Sequence, residues 1–95
     1  MVLCSSIKRL SGGKTVKVDL EVINDLIKNV IISGDFFLYP EDYIHFIESR
    51  LRNVRINDVS KIMYEFKDSV EIVGASIDEF LEVINDAYRS CLSGG

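Results

Sequence analysis

Ser11-Gly12-Gly13-Lys14 is the place in this sequence where residue types and spacing suit an anion. Glycines let backbone N–H groups approach a phosphate or carboxylate closely, and the lysine behind them supplies a neutralising charge. The spacing is not that of a P-loop, and the residues after Lys14 predict a strand where a P-loop needs a helix. The plain alternative is a β-hairpin turn with a solvated lysine. A second cluster is aromatic: Gly34-Asp35-Phe36-Phe37-Leu38-Tyr39-Pro40-Glu41-Asp42 sets three rings at a strand-to-helix junction. Adjacent residues in extended chain face opposite sides, so Phe36 and Phe37 cannot both enter one small core while extended. One ring then anchors the helices. The other, with Leu38 or Tyr39, offers an apolar patch to a partner. The alternative is a core corner in which the turn swings both rings inward.

Little else in the chain looks catalytic. His45, the only histidine, falls inside an expected helix beside Ile44 and Phe46 and reads as a partly exposed helix residue. No serine or cysteine has a visible base partner. Asp19, Glu21, Asp78 and Glu82 read as solvated or helix-end charges, and nothing marks two of them as an acid/base couple. Cys4 and Cys91 lie near opposite ends, without a CxxC or companion histidines. A disulfide between them is conceivable, but buried or idle thiols are the expectation for a reducing compartment. Zinc or an iron–sulfur cluster would need more ligands than these.

The elements that must position these residues follow from pattern. Ninety-five residues, 47% of them apolar, suit one domain with one core. A net charge of −4 and a pI near 4.9 argue against nucleic acid and against an acidic lipid surface. Met1–Ser6 has no basic n-region, no segment approaches membrane-spanning length, and a cytoplasmic chain is expected. Residues 3–10 predict a strand and Ser11-Gly12-Gly13 a turn. From Lys14 to Val22, Val16, Val18, Leu20 and Val22 alternate with Thr15, Lys17, Asp19 and Glu21, the mark of a strand with one buried face. Asn24-Asp25 turns the chain into a partner strand, Leu26 to Ser33, whose Ile27, Val30 and Ile32 share a face only across a bulge.

Pro40, with Glu41 and Asp42 behind it, is expected at the first helical position of helix one, whose stripe is Tyr43, Ile44, Ile47 and Leu51. Asp58 caps helix two, through Val59, Ile62, Met63 and Phe66. Ser76 and Glu79 form a capping box for helix three, which runs through Phe80, Leu81, Ile84, Tyr88 and Cys91 or Leu92. Ser93-Gly94-Gly95 should fray. The expected fold is therefore α+β, an antiparallel three-stranded sheet followed by three helices packed on one face.

Gly12-Gly13-Lys14 leading into an alternating strand, then Ile27, Val30, Ile32, Gly34-Asp35-Phe36-Phe37 and Pro40-Glu41, resembles the C-terminal accessory domain of lipoate–protein ligases. The resemblance carries motifs over residues 8–52 and only architecture beyond. It implies a fold similar to sulfur-acceptor and iron–sulfur scaffold proteins. It further implies a small subunit that forms a heterodimer with a separate catalytic subunit. That subunit binds lipoate and ATP with Mg²⁺, forms lipoyl-AMP and transfers the lipoyl group to a lysine of an acceptor domain. The motifs for that chemistry are absent here, so the chain alone should be inactive and bind none of these cofactors. On this resemblance Gly12, Gly13 and Lys14 approach the substrate phosphates, and Asp35, Phe36, Phe37 and Tyr39 form the partner interface. The lipoyl acceptor domain is served indirectly. The alternatives are a sulfur-acceptor or iron–sulfur scaffold, disfavoured by the cysteine positions, and a plain interaction module.

Overall fold

The alternation along residues 15–23 builds the sheet. In a computed structural model that describes residues 1–93, β2 (Thr15–Ile23) buries Val16, Val18, Leu20 and Val22 and turns its polar set outward. β1 (Val2–Arg9) pairs antiparallel with its first side, Arg9 opposite Thr15 and Val2 opposite Val22. β3 (Leu26–Gly34) pairs with the other side through a tight turn at Asn24-Asp25, Asn24 taking a positive φ of 56°. The expected bulge is present. Asn29 faces Glu21 and Ile27 faces Val22, which leaves Lys28 without a counterpart and brings Ile27, Val30 and Ile32 into the core together.

Two features correct the three-stranded expectation. A short β5 (Val54–Arg55) pairs with the start of β3, so the main sheet has four strands in the order β1-β2-β3-β5. A separate ribbon joins β4 (Phe37–Tyr39) to β6 (Glu71–Val73). Strands of two or three residues are too short to show a period, and their pairing is set by distant partners.

α1 (Tyr43–Arg50), α2 (Val59–Glu65) and α3 (Ile77–Ser93) cover one face of the main sheet. Ile47 and Leu51 of the first helical region, Val59 and Met63 of the second, and Phe80, Val83, Ile84 and Ala87 of the third meet the buried strand residues. The uncovered face shows Leu3, Ile7 and Ile31 among Lys17, Asp19 and Glu21. Glu48 of α1 accepts the Ile32 N–H at 2.9 Å, which covers part of the β3 edge that β5 leaves open.

Pro40 does not open α1. The chain must first leave the β4–β6 ribbon, and residues 40–42 form a turn in which Tyr43 N–H donates to Pro40 O at 3.0 Å. The helix starts at Tyr43, with Asp42 in the cap position and no side-chain cap bond. Asp58 likewise stands at the cap of α2 without a cap bond, because a 3-10 turn (Ile56–Asp58) already leads into the helix. At α3 the cap is made: Ser76 Oγ accepts the Glu79 N–H at 3.1 Å.

The thiol expectation is also corrected. Cys4 and Cys91 are joined in a disulfide, their Cα atoms 5.2 Å apart. Alternation turns Cys4 and Lys8 of the edge strand toward α3, where Lys8 also pairs with Glu82, and Ser90 Oγ donates to Ser5 O at 3.3 Å. The hydrogen bond to Glu82 raises the Lys8 pKa above its ordinary 10.5. The contribution of the Lys8–Glu82 ion pair is therefore present below that pH and lost as the ammonium deprotonates above it. No helix among the described residues is long and apolar enough to cross a membrane.

Candidate functional site

The glycine–lysine turn and the aromatic run, twenty residues apart in sequence, meet at one end of the sheet. At the turn, Gly13 N–H donates to Leu10 O at 2.9 Å and Leu10 N–H to Lys14 O at 2.6 Å. Gly12 and Gly13 stand in the open, and Gly13 takes φ +88°. Lys14 then leads into Thr15, the first residue of β2, and here the second motif takes hold.

Asp35 Oδ1 accepts the Thr15 N–H at 2.6 Å, and Asp35 N–H donates to Thr15 O at 3.3 Å. Gly34 permits this closeness: a Cβ at that position would overlap the Thr15 carbonyl oxygen. The Gly-Asp pair thus clamps the residue next to Lys14, and Asp35 makes this bond while itself exposed.

The two phenylalanines then part. Phe36 is half-buried, its ring edge-on to buried Phe80 with centroids 4.9 Å apart. Phe37 is 53% exposed and Tyr39 45%. Two residues apart on one strand, they share a face and lie nearly parallel, 6.4 Å between centroids. Leu38 between them goes inward. Val73, opposite Phe37 across the ribbon and also largely exposed, extends the apolar strip. Lys14 Nζ lies 5.9 Å from the Phe37 ring centroid. The surface therefore joins a cation, a glycine turn and an apolar ribbon.

The sequence did not reveal Val73 or Gly74, although both belong here. The only signal was a short apolar run, Ile72-Val73, just before the Ser76 cap. His45, expected to be partly exposed, is largely exposed and touches Glu48 at 3.4 Å, away from this surface. Among the described residues no group of three or more His, Cys, Asp or Glu could hold a metal ion. The surface offers aromatic contact area and a positive charge side by side.

Comparison with known proteins reaches the same residues. Residues 4–84 match the family described as bacterial lipoate protein ligase C-terminus, well beyond the Arg52 at which recognisable motifs stop. Lipoate-protein ligase A subunit 2 of Thermoplasma acidophilum is 33% identical over 70 residues, 73% of this chain and 74% of that protein. The fold is similar to a chain in the solved structure of an archaeal lipoylation system, a bipartite lipoate protein ligase and its E2 lipoyl domain from the same organism. The TM-score is 0.79 at 28% identity, over 86% of this chain and 93% of that one. With both the glycine–lysine turn and the Gly-Asp-Phe-Phe corner inside the matched region, the chain belongs to the lipoate protein ligase C-terminal family.

Proposed function

We propose that the chain is the non-catalytic accessory subunit of a bipartite lipoate–protein ligase, needed with a catalytic subunit to activate lipoate with ATP to lipoyl-AMP. The observation that carries this is the joining of Lys14 to the exposed Phe37–Tyr39 strip on one surface. Two rings and Val73 supply the kind of aromatic anchor that docks on a partner. Docking then brings Gly12, Gly13 and Lys14 to the adenylation site, where added positive charge and exclusion of water favour the phosphate chemistry. Lipoate, ATP and Mg²⁺ are assigned in this reading to the catalytic subunit. The acceptor domain receives its lipoyl group from that subunit, and we place the heterodimer in the cytoplasm. The strand-then-helix order supports a likeness to sulfur-acceptor and iron–sulfur scaffold proteins, but a sulfur-carrying role is disfavoured because both cysteines are in the disulfide.

The test mixes the chain with the catalytic subunit, lipoate, ATP and Mg²⁺ and measures lipoyl-AMP. Stimulation is expected, and none would sink the proposal. Lys14→Ala should leave the complex intact and slow adenylation about tenfold or more, less than losing a donor aimed straight at developing charge. Phe37→Ala should instead weaken assembly by about 2 kcal/mol, roughly thirtyfold in Kd. A normal complex on gel filtration and titration with that variant counts against the docking strip.

A further inference from the structure

Lys14 leaves its turn confined on two sides. On one side is Gly74, in the loop between β6 and α3, with φ +89°. A Cβ there would sit 2.6 Å from Lys14 Cγ and 3.5 Å from its Cβ and Cδ, so the missing side chain is the space the lysine stem occupies. On the other side the Phe37 ring lies beneath the ammonium, 5.9 Å from centroid to Nζ, within the range of a cation–π contact. A lysine on an open glycine turn would sample many rotamers, and the cost of ordering it would fall on the step that uses it. Here the stem has a groove and the charge has a seat.

We propose that Gly74 and Phe37 are positioning residues for Lys14, holding its ammonium oriented toward the phosphate-bearing substrate of the adenylation step. The inference rests on the accessory-subunit reading and adds a coupling to it. Phe37 belongs both to the docking strip and to the seat of the lysine. When a partner buries that ring, water leaves the cation–ring contact, which strengthens it. Assembly therefore tightens the orientation of the residue that adenylation uses. A subunit with no catalytic group of its own would raise the rate in this way.

The experiment is a double-mutant cycle on the reconstituted heterodimer, with Lys14→Met and Phe37→Leu singly and together. Lys14→Met keeps the stem without the charge, and Phe37→Leu keeps apolar bulk without the ring face. Lipoyl-AMP formation is read as kcat and as KM for ATP, at saturating accessory subunit so that weakened assembly drops out. Phe37→Leu should lower kcat/KM for ATP about fivefold in the Lys14 background, in line with a partly desolvated cation–ring contact. It should have no further effect on Lys14→Met. Gly74→Ala should give a loss similar to Phe37→Leu, and Lys14→Arg should retain most of the activity. If Gly74→Ala fails to fold, the cycle still decides. Independent, additive losses, or no loss from Phe37→Leu where Lys14→Met does impair adenylation, overturn the positioning role alone. No loss from Lys14→Met removes the lysine from the mechanism and the positioning role with it, whereas the accessory-subunit reading falls only if the unmodified chain gives no stimulation.

Discussion

Replacing Cys4 and Cys91 together with alanine should lower the stability of the chain by about 4–5 kcal/mol. The bridge spans a sequence separation of 87, and closing so long a loop removes that much chain entropy from the unfolded state. In a chain of 95 residues this is a large part of the whole margin and corresponds to a fall of roughly 20 °C in Tm. Urea unfolding of the double variant, and of the wild type with a thiol reductant, should give matching losses. A difference below about 1 kcal/mol from oxidised wild type would mean that β1 and α3 hold together without the bond. The loss should be local before it is global. β1 is an edge strand with a paired neighbour on one side only, so its amide exchange should rise first, near Cys4. The glycine–lysine turn lies at the other end of that strand, where Arg9 faces Thr15 while Cys4 faces Leu20. Support for adenylation, measured well below the new Tm, should therefore survive.

That bond shows where sequence legibility ended. The alternation in β2 named its buried residues one by one, and all four are buried. The spacing of Ile27, Val30 and Ile32 located the bulge. Both readings rest on periods that local sequence carries whole. The meeting of Cys4 with Cys91 depends on which helix lies under which strand, and no local pattern encodes it. The same holds for Gly74, whose role depends on a lysine sixty residues earlier. Parity set Phe36 and Phe37 on opposite sides of an extended chain, but left open a turn that swings both inward and did not say which ring goes inward. The direction is set by the Gly34-Asp35 clamp on Thr15, which fixes how the chain turns out of β3. Pro40 misled for a related reason. Its chemistry suits a helix start, but pairing of Tyr39 with Glu71 holds the chain in the ribbon up to the proline, which then falls in the turn before the helix.

Gly34→Ala should destabilise the chain by about 3 kcal/mol or more, from a forbidden overlap together with a backbone angle that alanine resists. Gly34 takes φ +154°, and its would-be Cβ meets the backbone carbonyl of Thr15 and then Cδ1 of Phe36 at 3.1 Å. A flexible side chain could swing away, but a strand carbonyl paired to the next residue's N–H cannot. Relief requires β3 to lift from β2 where Gly34 faces Val16, opening the Asp35 bonds to Thr15 and disturbing the seat of Phe36 on Phe80. Ser33→Ala, one exposed residue away, is the control and should change stability by less than about 0.5 kcal/mol. The two effects argued here differ in kind. Loss of the disulfide loosens the chain far from Lys14, whereas Gly34→Ala moves the residue next to it. Adenylation by the heterodimer, measured where each variant is still folded, should be near normal for the cysteine variant and reduced for Gly34→Ala. Equal activity from a folded Gly34→Ala chain would mean that the Gly-Asp-Phe-Phe corner holds the sheet together and does nothing to place the lysine.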